Sequence, residues 1–185
     1  MKPLISAIGL IFIFIITTSL SGLAQEKTEI TWKDRLFFGG SLGLQIGTLT
    51  IIEVSPQVGY RLTSRLAVGL GFKYEFYKDS RFSPPIKTNI YGGSIFASYV
   101  VWKNFLSEGS SIMAHIEDEA LSMENKYFKV GNADGRFVLN SFLAGGGLRQ
   151  RMGKRSYANI LILWNLNQTN LSPYQNPIFR ISFQF

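Results

Sequence analysis

The sequence predicts an all-β protein, an eight-stranded antiparallel up-and-down β-barrel that crosses a membrane with its strands. Three observations predict this fold. From Leu36 onward, apolar residues recur at every second position, which is the period of a strand with two unlike faces. Eight such segments follow one another. Most of the connections between them are alternately short turns and longer loops, as in outer-membrane barrels. Large apolar residues stand on one face of each segment, and glycine, serine and alanine predominate on the other.

The composition excludes several other classes of protein. The 185 residues include no cysteine, so disulfide scaffolds and thiolate zinc sites are excluded. A single histidine excludes a multi-histidine metal centre, and we expect neither a metal nor a cofactor. Charged residues make up 17% of the chain, below the usual quarter in soluble domains. The net charge of +7 would suit a nucleic-acid-binding protein, but the N-terminal segment argues against that role.

The N-terminal segment is typical of a cleaved secretory signal peptide. Lys2 precedes an apolar run over 4–20, and small residues stand three and one positions before Gln25, which predicts cleavage after Ala24. The alternative is an uncleaved transmembrane anchor, because the run is close to the lower length limit for a spanning helix. An exported chain is not expected to bind nucleic acid. The predicted organisation is a signal peptide over 1–24, a short periplasmic segment over 25–35 and a transmembrane barrel over 36–185.

The strand segments follow from the alternation of apolar residues. Turns at 63–65 and 151–155 are short, whereas connections at 78–89, 121–135 and 167–176 are long. A short connection at 47–49 and an extended one at 102–110 depart from this pattern, and the fifth strand has the least regular start. The predicted strands are 36–46, 52–62, 66–76, 90–101, 111–121, 136–150, 158–167 and 179–185.

Side-chain volume predicts which face of the barrel points outward. An eight-stranded lumen is just wide enough to be filled by side chains, so rows of Phe and Leu would overfill it. We therefore expect the apolar faces to meet lipid, and a closed sheet satisfies its own backbone groups there. The lumen then holds four acidic and four basic side chains, which we expect to pair because an unpaired buried charge is costly. These residues are Glu53, Glu75, Glu117, Glu119, Arg61, Lys73, Arg149 and Arg180.

Aromatic residues are expected at the two membrane interfaces. With the N-terminus in the periplasm, Tyr74, Phe76, Tyr91 and Trp164 lie toward the outer interface. Asp118 falls on the apolar face, and we expect it near that interface, where a charge costs little. The predicted periplasmic girdle consists of Phe37, Phe38, Tyr60, Tyr99, Trp102, Phe183 and Phe185.

The last nine residues, Pro177–Phe185, resemble the closing strand of outer-membrane β-barrel proteins of Gram-negative bacteria. The resemblance rests on the C-terminal Phe185 and, in phase with it, Phe179, Ile181 and Phe183. It implies recognition of this strand by the barrel-assembly machinery. The stretches 52–60, 91–97 and 176–180 are also similar to small, porin-like members of that family, which implies a location and a fold but no activity.

Candidate chemistry is sparse in this sequence. His115 and Glu117 share a face of one strand and could orient a general base, but no nucleophile motif accompanies them. We therefore interpret His115 as a structural, hydrogen-bonded residue. Lys78, Arg81 and Lys87 give one loop a positive charge that could contact lipopolysaccharide phosphates, although an ordinary solvated loop is the plainer interpretation.

Four hypotheses about function follow. The first is a monomeric, non-enzymatic outer-membrane protein with a structural or envelope-interaction role and no wide pore. Its partners would be outer-membrane lipid and lipopolysaccharide, and the assembly machinery during insertion. The second is a narrow channel for small solutes, the third a lipid-modifying enzyme centred on His115, and the fourth a soluble lipid-binding barrel.

Overall fold

A computed structural model of the chain describes residues 32–45, 49–80, 83–128, 134–174 and 176–185. The predicted signal peptide, with its cleavage site at Ala24 and Gln25, lies outside the described residues. So do most of the predicted periplasmic segment and Arg81.

Eight antiparallel strands pair in sequence order, and β8 pairs with β1 to close the barrel. This confirms the predicted closed, eight-stranded, antiparallel up-and-down β-barrel. Among the described residues, two short helices accompany the strands, α1 (Trp32–Arg35) before β1 and α2 (Asn125–Phe128) after β5. No helix in the described ranges is long and apolar enough to cross a membrane. The strands are β1 (Leu36–Gln45), β2 (Leu49–Arg61), β3 (Leu66–Asp79), β4 (Ile86–Lys103), β5 (Ser110–Glu124), β6 (Arg136–Arg151), β7 (Tyr157–Asn165) and β8 (Ile178–Gln184).

The two ends of the barrel differ in their connections. The turn end carries the connections 62–65, 104–109 and 152–156, together with the start of β1 and the end of β8. The loop end carries the connections 46–48, 80–85, 125–135 and 166–177. The third strand ends later and the fourth begins earlier than predicted, at Asp79 and Ile86, so the expected loop at 78–89 shrinks to 80–85. Its polar residues belong to strands that extend past the apolar band, where hydropathy no longer marks a strand.

The strand registers fix the stagger and the width of the barrel. A line drawn perpendicular to the strands joins paired residues on successive strands, namely Leu36, Tyr60, Val68, Ala97, Ile116, Ala144 and Trp164. Continued through the β7–β8 and β8–β1 registers, this line meets the phase of β1 ten residues beyond Leu36, which is the stagger of the closed sheet. For eight strands this corresponds to a tilt of about 40° and a backbone radius of about 8 Å. Side chains fill an interior of that width.

The outer wall is apolar and the lumen is polar, as the alternation predicts. The alternation has one irregularity in β4, a β-bulge between Val100 and Trp102 that shifts the β4–β5 register at the turn end. Exposed large apolar residues of the wall include Phe38, Leu42, Ile52, Val54, Leu70, Phe72, Tyr74, Tyr91, Ile95, Tyr99, Phe142, Ile160, Trp164 and Phe179. Buried polar residues of the lumen include Ser41, Ser55, Lys73, Glu75, Ser98, His115, Glu117, Glu119, Ser141, Asn159, Arg180 and Ser182.

Phe37 does not belong to the aromatic girdle in which it was predicted. Its side chain is 1% exposed and points into the lumen, where its ring lies against Gly59 of β2. Phe96 lies against Gly69 in the same way, and both rings join one buried apolar cluster. A glycine on the neighbouring strand therefore makes room for each large ring inside a narrow barrel.

Candidate functional site

Five of the eight predicted lumen charges form one central ionic network, made of Glu53, Lys73, Glu117, Glu119 and Arg180. The Lys73 ammonium lies 2.7 Å from the Glu119 carboxylate and 3.8 Å from that of Glu53. The Arg180 guanidinium pairs with Glu117 and lies 3.9 Å from Glu119. Strands β2, β3, β5 and β8 thus contribute charges that meet across the lumen, because their residues of one phase all point inward.

Glu75 lies beside this network and adds a further carboxylate. It is 2% exposed and stands opposite Glu53 in the β2–β3 register, and its Oε1 has no hydrogen-bond partner among the residues that the structure describes. With Glu75, this layer of the lumen contains four carboxylates against the two cations Lys73 and Arg180. The expected balance of charge is therefore not reached within this layer.

Arg61 and Arg149 lie toward the turn end, apart from the central network. The Tyr157 ring centroid is 3.9 Å from the Arg149 Cζ and 5.7 Å from the Arg61 Cζ. Arg61 also lies over the Phe37 ring, and Arg149 donates a 2.9 Å hydrogen bond to Gln184. Within the described ranges, neither guanidinium pairs with a carboxylate, so the pairing predicted for these two arginines is not found. Aromatic rings take the place of the expected acidic partners.

His115 hydrogen-bonds to residues on either side of it. Its Nδ1 is 2.8 Å from the Ser98 hydroxyl, and its Nε2 is 3.3 Å from the Glu117 carboxylate. The Phe96 ring stacks on the imidazole with centroids 5.7 Å apart. The sequence did not single out Ser98, because it lies 17 residues away on β4. The β4–β5 register pairs it directly with His115.

A serine, a histidine and a carboxylate in contact invite comparison with a hydrolytic triad. Glu117 is also held by Arg180, and Ser98 and His115 are both about 5% exposed. The adjoining cavity, lined also by Gln57, has a volume of about 10 Å³, room for a single water molecule. The geometry fits a buried hydrogen-bonded chain that fixes the imidazole better than a site open to an acyl substrate.

Tyr174 reaches the network from the connection between β7 and β8. Its phenol donates a hydrogen bond to the Glu119 carboxylate, and its ring centroid lies 5.2 Å from the Lys73 ammonium. Burial, and then the neighbouring Glu119 carboxylate, raise the pKa of the Tyr174 phenol, so the hydroxyl stays protonated. No periodic pattern marks a loop residue, and the sequence therefore did not indicate this contact.

The remaining candidate residues lie on the outer wall and at its rim. Phe179, Ile181, Phe183 and Phe185 are all exposed in one outward row. Asp118 is exposed on this wall, as expected, but lies between Ile95 and Phe142 and six residues from the loop end of β5. Its place near the outer membrane interface stays a prediction. At the rim, Lys78 stands directly opposite Lys87 in the β3–β4 register.

The sequence matches no protein-family model and no curated protein. Among solved structures, the fold is similar to the crystal structure of the N-terminal β-barrel domain of Pseudomonas aeruginosa OprF. The TM-score is 0.49 at 13% sequence identity, with 81% of this chain and 94% of that chain covered. The barrel described above is defined by its own strand registers, and no residue's role is transferred from that protein.

Proposed function

We propose that the chain is an integral outer-membrane protein with a structural or envelope-interaction role and no enzymatic activity. This proposal rests on the distribution of side chains, which is the inverse of that in a soluble barrel. Leu70, Phe72 and Ile95 are each more than half exposed on the wall, whereas Lys73 and Glu119 are buried inside. A soluble barrel would bury the first group and expose the second. An apolar wall around a charged lumen is the arrangement that lipid stabilises.

The orientation follows from the connections. In outer-membrane barrels the short turns face the periplasm and the longer loops face outward. The turn end, where β1 begins and β8 ends, would then face the periplasm. The loop end, with connections 80–85, 125–135 and 166–177, would face the cell exterior.

A closed lumen supports a structural role in preference to a wide pore. The central ionic network spans the interior, and Tyr174 covers it from the loop end. Two cavities of about 10 Å³ flank Arg180, and each has room for about one water molecule. These cavities favour the second candidate, a narrow channel, only if the Arg180–Glu117 pair opens. Stable conductance of the purified protein in planar bilayers would support that alternative, and silence would support a closed barrel.

Membrane fractionation combined with heat-modifiability on gels tests the main proposal. We expect the protein to remain in the carbonate-washed membrane pellet and to migrate differently before and after boiling. Leu70→Arg should then weaken folding into vesicles by about 2–4 kcal/mol, the cost of Arg on a lipid-facing wall. Leu106→Arg is the matched control, because Leu106 is 69% exposed but lies in a turn-end connection. Equal effects of the two substitutions would contradict a lipid-facing wall, and release by carbonate would favour a soluble barrel.

We propose that His115 has a structural role and no catalytic role. The buried hydrogen bonds to Ser98 and Glu117 support this role. His115→Ala should lower the stability of the barrel and leave the lipid composition of expressing cells unchanged. A changed lipid profile would instead favour the lipid-modifying enzyme.

We propose that Lys78 and Lys87 contact lipopolysaccharide phosphates at the rim. Like charges directly opposite each other destabilise a sheet unless an anion lies between them. The double variant Lys78→Gln/Lys87→Gln should bind lipopolysaccharide micelles more weakly than the wild type. Lys103→Gln, at the turn end of β4, is the control. Equal binding by all three proteins would contradict this contact.

We propose that the β8 row ending at Phe185 is recognised by the barrel-assembly machinery. The support is its outward, apolar position on the strand that closes the barrel against β1. Removal of Phe185 should slow insertion in cells but leave unassisted folding into detergent nearly unchanged. Normal insertion of the truncated chain in cells would contradict this role.

A further inference from the structure

The turn-end mouth of the lumen contains two guanidinium groups around one aromatic ring. Arg61 is the last residue of β2, and Arg149 lies two residues from the end of β6. Tyr157, at the start of β7, presents its ring to both of them. Each guanidinium therefore has a neighbour of the same charge in a narrow space.

Both arginines retain buried N–H groups without partners. The Arg61 Nη2 and the Arg149 Nε are shielded from solvent and have no hydrogen-bond partner among the described residues. Arg149 is 9% exposed, and its Nη2 is already oriented by the Gln184 side-chain oxygen. A buried charged donor without an acceptor is costly, so this arrangement calls for an acceptor.

The chain itself supplies no such acceptor in the part that the structure describes. Asp34, an acidic residue near the turn end, pairs with Arg155. Glu117 and Glu119 are held by Arg180 and Lys73 within the central network. Within the described residues, the two guanidinium groups of Arg61 and Arg149 are therefore left without an anionic acceptor.

We propose that Arg61 and Arg149 form a binding site for a phosphate group at the turn-end mouth of the barrel. A phosphate offers three acceptor oxygens, enough to bridge two guanidinium forks, and charge-assisted bonds of this kind are strong. The ligand reaches the site from the aqueous mouth, because both side chains point into the lumen. This inference does not depend on the proposed outer-membrane location.

Arginine-detected NMR tests this site in the full-length protein as it is isolated, folded in octyl glucoside, a detergent without phosphate. Titration with inorganic phosphate should shift the Arg149 Nε–Hε resonance along a saturable curve. Arg61→Gln and Arg149→Lys should each raise the apparent Kd at least tenfold, and heat-modifiability on gels should confirm that both variants fold. For Arg149→Lys the Kd is read from the Arg61 resonance. Arg65→Gln is the matched control, because Arg65 is exposed in the β2–β3 turn and donates to the Val101 carbonyl.

A second titration, with phosphatidylglycerol in mixed micelles, identifies the source of the phosphate. Saturation by either inorganic phosphate or the lipid supports the site and names its ligand. A linear shift with both would overturn the proposal. So would an equal Kd for the wild type and Arg61→Gln, or an equal loss of affinity with Arg65→Gln.

Discussion

Gly146, on the outer wall of β6, allows a test of how closely the strands approach. A Cβ atom at Gly146 would lie 2.5 Å from the Met113 carbonyl oxygen of β5, closer than the 3.0 Å at which such contacts essentially cease. The substitution Gly146→Ala must therefore move the β5 backbone by at least about 0.5 Å, a strain comparable to overpacking, which costs about 1–3 kcal/mol. Disturbing one ladder hydrogen bond costs about 1 kcal/mol more.

The unfolded state offsets part of this cost. Alanine restricts the unfolded chain more than glycine, which stabilises the folded protein by about 0.4–1 kcal/mol. We therefore expect Gly146→Ala to lower the free energy of unfolding by about 2 kcal/mol. Gly93→Ala is the matched control, because its Cβ would lie on the same wall at an ordinary 3.5 Å from the Gly71 carbonyl oxygen. The control should be neutral or slightly stabilising.

Urea unfolding of the protein in lipid vesicles measures both variants. Tryptophan fluorescence and gel mobility should report one transition, so that linear extrapolation yields the free energy of unfolding. A difference of less than about 0.5 kcal/mol between the two glycine variants would contradict the close approach of β5 to β6 at Gly146.

Three further predictions use the same unfolding measurement. Arg180→Met should cost about 3–5 kcal/mol, because it leaves the Glu117 carboxylate buried without its guanidinium partner. Adding Glu117→Gln should recover part of that loss, and a double variant as unstable as the single one would contradict the pair. Asp118→Leu should stabilise the protein in vesicles by about 1 kcal/mol, since it removes a charge from the outer wall. A loss of stability would show that Asp118 is not exposed to lipid. Tyr174→Phe should cost about 2 kcal/mol by removing the hydrogen bond to Glu119, and an unchanged value would mean that this connection is not docked in the lumen.

The period of the strands allowed much of the fold to be predicted. Glu53, Lys73 and Glu117 were placed in the lumen because a two-residue period assigns every strand residue to one face. The same period placed Phe179 and Ile181 outside. Strand ends were less accurate, since β4 continues to Ile86 through polar residues that resemble a loop.

Contacts between strands could not be read from alternation alone. The two-residue period places Phe37 inside, opposite Phe38, but alternation does not show that Gly59 of the neighbouring strand makes room for its ring. The pairing of Ser98 with His115 depends on a register that the turn between β4 and β5 determines. The balance of charge over the whole lumen predicts carboxylate partners for Arg61 and Arg149, whereas ion pairs form only between side chains at the same height in the barrel.

The docking of Tyr174 bears on how the molecule could be engineered. Of the connections at the loop end, the one between β7 and β8 is tied to the interior by the contacts of Tyr174 with Glu119 and Lys73. An epitope or a displayed peptide inserted there would compete with those contacts. The hairpin connection at 80–85 joins two long, regularly paired strands. It is therefore the better position for presenting foreign sequence without disturbing the barrel.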